Sequence, residues 1–213
     1  MKRTAVIVGA TGAIGHELVS TLLADPAWER VHVLVRRPLD TENPRLSEHI
    51  VDFDDLEGTA DLLTDADVFC CLGTTREKAG SSEAFRKVDH DYVLAVAERA
   101  ATAQARQFLM VSAIGASRSS PSEYNRVKAE TETDVSALTL PAVHIFRPSL
   151  LLGERSESRP AEDIAKRLAP IVSPLLRGRL SKYRPVHPSE VAHRMVEAAR
   201  IPSSGVQIHY LAT

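Results

Sequence analysis

A chain of 213 residues can form one domain with a sizeable core, so it needs neither a disulfide nor a structural metal. Its net charge of -2 lacks the basic excess of a nucleic-acid-binding surface, and no nucleic-acid partner is expected. The two cysteines, Cys70 and Cys71, are adjacent and do not have zinc-ligand spacing, so no metal site is predicted. No apolar stretch reaches the length of a membrane span or a signal sequence, and we expect a cytoplasmic protein with no membrane partner.

Short apolar runs alternate along the chain with longer segments of helical period. Strands are predicted at 4–8, 31–35, 49–51, 67–72, 108–112, 143–146 and 206–211. Helices are predicted up to about residue 24 and over 83–105, 122–138 and 188–200. Repeated strand, crossover helix and strand are typical of a parallel sheet covered on both faces. The sequence therefore predicts an α/β, Rossmann-type, doubly wound fold.

The pattern indicates a single domain over residues 1–213, without internal repeats or low-complexity linkers. Residues 153–187 form its least regular part, rich in Arg, Ser and Pro, and are predicted to be a small cap over the open end of the sheet. Apolar stripes on the 83–105 and 122–138 helices leave two possibilities open. They could form the face of a homodimer, or they could pack on the sheet of the same chain.

Three glycines, Gly9, Gly12 and Gly15, follow the first strand and open the first helix. In dinucleotide-binding folds such glycines make the tight turn, let the backbone approach a pyrophosphate and bring the helix close to the sheet. Free N–H groups at the start of the helix and the helix dipole then favour binding of the phosphates. The alternative interpretation is a tight strand-to-helix turn that binds no ligand. The predicted cofactor contacts in this segment are Gly9, Thr11, Gly12, Ala13, Ile14 and Gly15.

The residues that end the second strand bear on the choice of cofactor. A site that prefers NAD normally carries Asp or Glu there, whereas this chain has Arg36 and Arg37. A guanidinium can bind a 2′-phosphate through two parallel hydrogen bonds. The sequence therefore predicts that the site prefers NADP(H) to NAD(H). The alternative is that both arginines are solvated residues at the end of a strand and bind no cofactor.

Two later strand ends are predicted to contact the same cofactor. Asp52 closes the third strand and is predicted to accept a hydrogen bond from the adenine amino group, with Phe53 beside the ring. The loop after the fourth strand, Leu72, Gly73 and Thr74, is predicted to pass along the ribose side. In both places the alternative is that these are ordinary loop residues that do not contact a cofactor.

Tyr124 and Lys128 lie four residues apart at the start of a predicted helix, which places both on one face. A free phenol titrates near roughly 10, and a neighbouring ammonium brings it toward neutral pH. We predict Tyr124 as the acid/base and Lys128 as its activator and a ligand of the nicotinamide ribose. At the ends of later strands, Ser112 is predicted to bind a substrate carbonyl and Arg147 to contact the cofactor or an anionic substrate group.

Several segments together resemble the atypical branch of the short-chain dehydrogenase/reductase superfamily, in the group of the human Tat-interacting protein and its bacterial homologues. They are residues 70–76 (CCLGTTR), 78–80, 88–89, 91–93, 146–148 and 157–160. The resemblance implies NAD(P)-dependent oxidoreduction or epimerisation, with Tyr124 as acid/base and Lys128 as its activator. The superfamily often has two successive serines after the fifth strand, and Ala113 stands at the second position. Ser112 or Ser117 could substitute for that serine, or the chemistry could be impaired.

Two functions from different classes follow. The first is an NADPH-dependent reductase that transfers hydride to a small-molecule carbonyl substrate. The second is a non-catalytic redox sensor whose affinity for a protein partner depends on NADPH, and Ala113 and the short cap favour it. A sugar-nucleotide epimerase is a weaker third, because the short stretch after Arg147 leaves little room for a substrate domain.

Overall fold

A computed structural model describes residues 3–39, 41–152 and 184–211. Seven parallel strands form one sheet in the order β3-β2-β1-β4-β5-β6-β7. The strands are β1 (Arg3–Val8), β2 (Trp28–Val35), β3 (Leu46–Ile50), β4 (Asp67–Cys70), β5 (Gln107–Val111), β6 (Ala142–Arg147) and β7 (Gly205–Tyr210). The predicted doubly wound fold is confirmed. Its strand order reverses between β1 and β4, so a ligand crevice is expected where those two strands end.

The sheet is covered on both faces by helices. They are α1 (Ala13–Ala24), α2 (Ala60–Leu63), α3 (Arg76–Ala79), α4 (Ser82–Arg86), α5 (Tyr92–Thr102), α6 (Glu123–Ser136) and α7 (Pro188–Arg200). Buried apolar residues of α1 and α7 belong to one core cluster, and those of α5, with Val135 of α6, belong to the other. Among the residues described, no helix is long and apolar enough to cross a membrane.

The central strands β1, β4 and β5 consist mainly of apolar residues because both of their faces are buried. Ala5 and Ile7 of β1 pack in the cluster under α1, whereas Val6 and Val8 pack in the cluster under α5. Alternating side chains of one strand thus enter two separate cores, as expected for a parallel sheet between helical layers. The apolar stripe of α5, including Val96, packs on this sheet as well.

The predicted helix over 83–105 ends earlier in the structure, at Thr102, and it is not continuous. A π-helical turn at Lys87–Asp91 interrupts it between α4 and α5. The turn buries two polar side chains, Asp89 and His90, against α6. A π turn places one extra residue in the helical circuit, and such turns are frequent at functional sites.

A buried carboxylate ties together the amino ends of the central strands. Asp67 on β4 is fully buried and accepts hydrogen bonds from Arg3 Nε (2.8 Å) and Nη2 (2.7 Å). It also accepts from Trp28 Nε1 and Gln107 Nε2, both at 2.8 Å. These donors come from β1, β2 and β5, so a single charge, fully hydrogen-bonded, joins four strands.

Most of the predicted cap, residues 153–183, lies outside the described residues. On either side of it the chain forms a short parallel bridge between Leu151 and Val186. Leu152 N donates to Val186 O at 2.7 Å, and Val186 N donates to Leu150 O at 3.0 Å. The two ends of that stretch therefore meet just past the carboxyl end of β6.

Candidate functional site

The turn between β1 and α1 requires glycine at its first position. Gly9 has a φ of +84°, a left-handed conformation that L side chains rarely adopt. A Cβ atom there would lie 2.6 Å from the carbonyl carbon of Cys71, in the loop after β4. Gly12 N donates to Gly9 O at 3.0 Å and closes the turn. The turn thus lies directly against the neighbouring strand end.

The first turn of α1 packs on this turn and leaves its N-terminus accessible. A Cβ on Gly15 would lie 2.1 Å from Gly9 O, so only glycine fits. The helix begins at Ala13 after Gly12, which provides no side-chain cap, and its first turn has no acidic residue. Its first N–H groups, including that of Ile14, therefore have no local carboxylate competing with a phosphate.

A cavity of about 470 Å³ opens above the ends of β1, β2 and β4. Three of the predicted phosphate contacts, Gly9, Thr11 and Gly12, line one end of it. The other three, Ala13, Ile14 and Gly15, form the start of α1. A volume of this size is in the range of cofactor pockets, which bind ligands through a few fixed polar groups.

The opposite end of the cavity carries positive charge and an aromatic ring. Arg36 and Arg37 are exposed at the bend after β2 and line the cavity, and no ion pair to either is recorded within the described ranges. Phe53 also lines it, and its ring packs on that of Tyr92 with centroids 5.4 Å apart. Asp52 does not line the cavity. Its Oδ1 accepts from Asp54 N at 3.0 Å instead, so its contact with adenine stays a prediction.

The third wall is the loop after β4, at Leu72, Gly73 and Thr74. Thr74 N donates to Asp89 Oδ2 at 2.7 Å, and Asp89 is fully buried. A Cβ on Gly73 would lie 3.4 Å from Asp89 Oδ1 and 3.7 Å from Lys128 Nζ. The loop therefore lies between the cavity and a buried pair of charges.

The structure brings Tyr124 and Lys128 together on the first two turns of α6. The Tyr124 ring packs on Phe85 with centroids 5.8 Å apart, and its centroid lies 6.0 Å from Lys128 Nζ. Lys128 is 3% exposed, and its Nζ forms an ion pair with Asp89 Oδ1 at 2.8 Å. Burial lowers the pKa of Lys128, but the charge of Asp89 and the nearby Tyr124 outweigh it and leave that pKa above its usual value.

Ser112 and Arg147 meet in a different polar cluster. The hydroxyl of Ser112 donates to Glu132 Oε1, and the side chain is 3% exposed. Arg147 Nε donates to the same oxygen at 2.9 Å, and its Nη1 donates to the Tyr210 hydroxyl at 2.8 Å. This bonding to Glu132 raises the pKa of Arg147. Neither Ser112 nor Arg147 lines the cavity, so their contacts with substrate or cofactor stay predictions, and Ala113 beside them is buried.

One further cluster combines histidine with carboxylates. His90 places Nδ1 2.7 Å from Asp91 Oδ1 and Nε2 2.8 Å from Asp134 Oδ2. Glu130 forms with His90 and Asp134 a group whose possible ligand atoms lie within 4.8 Å of one another. Glu130 is paired with Arg86 at 2.6 Å, and the other members bind one another. We interpret the cluster as a polar contact that holds the π turn on α6.

Reasoning from sequence alone missed Asp89 and Glu132, which bind the predicted Lys128 and Arg147. Both are buried acidic residues on helices, and in sequence a charged helical residue usually indicates a solvated face. A signal for Glu132 was available, because it follows Tyr124 and Lys128 at the same spacing of four on α6. Asp89 lies on a π turn, for which apolar periodicity gives no signal.

A family model described as NAD(P)H-binding matches residues 9–145, which include every residue that lines the cavity. HTATIP2 of Rattus norvegicus is 38% identical over 169 residues, covering 78% of this chain and 69% of that protein. The mitochondrial protein fmp52 of Aspergillus clavatus is 35% identical over 170 residues, covering 76% and 73%. Because this relative is named as mitochondrial, the cytoplasmic location stays a prediction.

Solved structures with the same fold include MoeE5 in complex with UDP-glucuronic acid and NAD, at a TM-score of 0.74 and 19% identity. The match covers 99% of this chain and 76% of that one. WbmH of Bordetella bronchiseptica in complex with NAD+ gives a TM-score of 0.74 at 16% identity, over 100% and 76%. At these identities the likeness shows the fold alone. The sequence relatives, HTATIP2 among them, confirm the predicted resemblance to the group of the Tat-interacting protein.

Proposed function

The chain belongs to the NAD(P)H-binding family, and on that premise we propose that it is an NADPH-dependent reductase that transfers hydride to a small carbonyl substrate. One observation carries the proposal. The glycine turn, the open N-terminus of α1 and two exposed guanidinium groups line a single cavity at the point where the strand order reverses. These features match, in order along the cavity, a pyrophosphate and a ribose 2′-phosphate.

The residues present fit a dinucleotide. Gly9 and Gly15 occupy positions where a Cβ would collide with backbone, as expected if the chain must bring its N–H groups close to phosphates. Arg36 and Arg37 would hold the 2′-phosphate, and Phe53 would contact the adenine ring. When bound, the reduced nicotinamide supplies a hydride.

The acid/base part of the reaction falls to α6. Tyr124 is 40% exposed and would donate its hydroxyl proton to the carbonyl oxygen of the substrate. The ammonium of Lys128, 6.0 Å from the Tyr124 ring centroid, would stabilise the phenolate that remains. A proton from water would then restore the phenol.

The cofactor preference is tested with the double variant Arg36→Ala/Arg37→Ala. A charge-assisted hydrogen bond is worth about 2 kcal/mol, so the Kd for NADPH should rise about thirtyfold while that for NADH changes little. The control Arg30→Ala/Arg106→Ala removes the same charge near the amino ends of β2 and β5 and should affect neither. Equal losses for NADPH and NADH would refute the assignment.

The catalytic assignment is tested with Tyr124→Phe. This variant should bind NADPH as the wild type does in calorimetry, yet show no NADPH oxidation with any carbonyl compound that the wild type reduces. Undiminished turnover would remove Tyr124 from the mechanism.

A second candidate, a redox sensor without turnover, is favoured by a specific observation. Ala113 carries no hydroxyl, and the hydroxyl of Ser112 is engaged with Glu132. NADPH oxidation measured against a panel of carbonyl compounds and quinones distinguishes the two. Steady consumption supports the reductase. Tight NADPH binding with no consumption, together with a protein partner bound only in its presence, supports the sensor.

A further inference from the structure

The last strand of the sheet carries an exposed row of apolar side chains. Val206 and Ile208 of β7 are 47% and 46% exposed. In the parallel register they lie beside Val143 and Ile145 of β6, which are buried in the core cluster under α5. Single exposed apolar residues are common, but a row that continues a core to the edge of a sheet is typical of an interaction surface.

The backbone of β7 offers hydrogen-bonding groups along the same edge. Among the strands that the structure describes, β7 is last in the sheet and pairs with β6 alone. Gly205 N donates to Pro141 O at 3.0 Å, so the N–H of Gly205 points toward β6. Backbone groups alternate in direction along a strand, and those of Val206 and Ile208 therefore point away from β6. The two exposed residues thus present donors and acceptors together with apolar side chains.

β7 does not carry the residues with which edge strands usually avoid pairing. It contains no Lys, Arg, Asp, Glu or Pro. Burial lowers the pKa of His209, so the strand is uncharged at neutral pH. The opposite edge strand, β3, carries Glu48, whose Oε2 accepts a hydrogen bond from Leu39 N at 2.8 Å. A charge of that kind protects the edge at β3, and the edge at β7 lacks such protection.

The occupant that fits this edge is a second copy of β7. Antiparallel pairing about a twofold axis at Gln207 places Val206 of each copy opposite Ile208 of the other. Both residues point to the open edge, so each opposed pair exchanges two backbone hydrogen bonds. Aliphatic side chains then meet aliphatic side chains across the axis, which stabilises paired strands. A twofold contact needs no second surface, because the same residues serve on both sides.

We propose that this protein forms a homodimer through antiparallel pairing of β7 with β7 of a second copy, which joins two seven-stranded sheets into one. The apolar stripe of α5, the other candidate for a dimer face, packs on the sheet of its own chain. Strands β5 and β6 separate β7 from β4, where the cofactor cavity opens, so dimerisation is independent of NADPH binding. A strand edge is small for a protein interface, and we expect a Kd of about 10 µM.

Analytical ultracentrifugation over about 1–100 µM protein tests the dimer, and the wild type should change from monomer to dimer across this range. Two variants that differ only in the charge at position 208 test the pairing. Val206→Lys/Ile208→Lys brings like charges opposite each other, whereas Val206→Lys/Ile208→Glu brings opposite charges together. The first should dimerise at least about tenfold more weakly than the second. Equal Kd values for the two variants would overturn the proposal.

A disulfide tests the position of the twofold axis. The two copies of Gln207 would face each other as a pair without mutual hydrogen bonds, with Cα atoms about 4.5 Å apart, which is within the range of disulfides. Mild oxidation of Gln207→Cys should therefore give a covalent dimer on a non-reducing gel. The controls are the wild type, which keeps Cys70 and Cys71, and Ile50→Cys at a 58% exposed position of β3. Both should remain monomeric on the gel.

The remaining outcomes decide between occupants of the edge. A wild type that stays monomeric at every concentration would overturn the proposal. A lower urea midpoint in Val206→Lys/Ile208→Lys would then show that the row is covered within its own chain, and an unchanged midpoint would leave the row to a different protein. The control Ile50→Lys on the other edge strand should dimerise as the wild type does. NADPH binding by the monomeric variant, measured by calorimetry, decides the proposed function separately.

Discussion

Replacing Gly15 with alanine tests the close approach of α1 to the glycine turn. The added Cβ would lie 2.1 Å from Gly9 O, 2.8 Å from Gly9 C and 2.9 Å from Ala10 Cα. All three are backbone atoms, so they cannot move aside as a flexible side chain would. The helix must therefore shift from the turn by about 1 Å, as in other overpacked sites.

Two quantities should change together. Overpacking of this kind costs roughly 1–3 kcal/mol, which would lower the urea midpoint of Gly15→Ala by about 1 M. The displaced N–H groups of α1 would also weaken NADPH binding at least about tenfold, or 1.4 kcal/mol. Urea denaturation and isothermal titration calorimetry measure the two effects on the same preparation.

Other glycines of the chain provide the controls. Gly58 has nothing within 4 Å of its added Cβ, so Gly58→Ala should leave both quantities unchanged within about 0.5 kcal/mol. Gly12→Ala serves as a second variant in case Gly15→Ala does not fold. Its added Cβ would lie 3.3 Å from Gly9 O, so it should fold and lose less affinity for NADPH. Wild-type stability and affinity in Gly15→Ala would refute the packing argument.

Three other outcomes are expected. Burial, with a contribution from His209, lowers the pKa of His144 to about 4, below the unfolded value near 6.5. Between these two values the unfolded chain binds more protons than the folded one. The free energy of unfolding should therefore be highest above about pH 6.5 and lower by about 2 kcal/mol at pH 5. His144→Gln should reduce this pH dependence in urea titrations. Asp67→Ala removes the buried acceptor that Arg3, Trp28 and Gln107 share and should cost about 3–5 kcal/mol by denaturation. Phe53→Ala removes a ring that packs on Tyr92 and lines the cavity, and it should weaken NADPH and NADH binding equally in calorimetry.

The glycine turn could be predicted because its geometry is set by neighbouring residues in sequence. A strand, a glycine that tolerates positive φ and a helix packed against it are all properties of one short segment. The strand β3 was harder to place. It begins at Leu46, three residues before the predicted start, because it lies at the edge of the sheet, half-exposed, and does not show a continuous apolar run.

The ion pair of Asp89 with Lys128 could not be predicted, since it joins two helices distant in sequence across a π turn. Asp52 shows that one position can serve two roles. Its place at a strand end predicts an adenine contact, and in the structure its Oδ1 accepts the backbone N–H two residues later. That bond is the usual behaviour of aspartate in a turn, so the adenine contact stays a prediction.

The most direct test of cofactor binding is calorimetric titration of the wild-type protein with NADPH and, separately, NADH. The cavity with its glycine turn and paired guanidinium groups predicts saturable heat with both, and a Kd for NADPH at least about tenfold lower. If neither nucleotide produced heat of binding at millimolar concentration, the assignment of the cavity as a cofactor site would be contradicted.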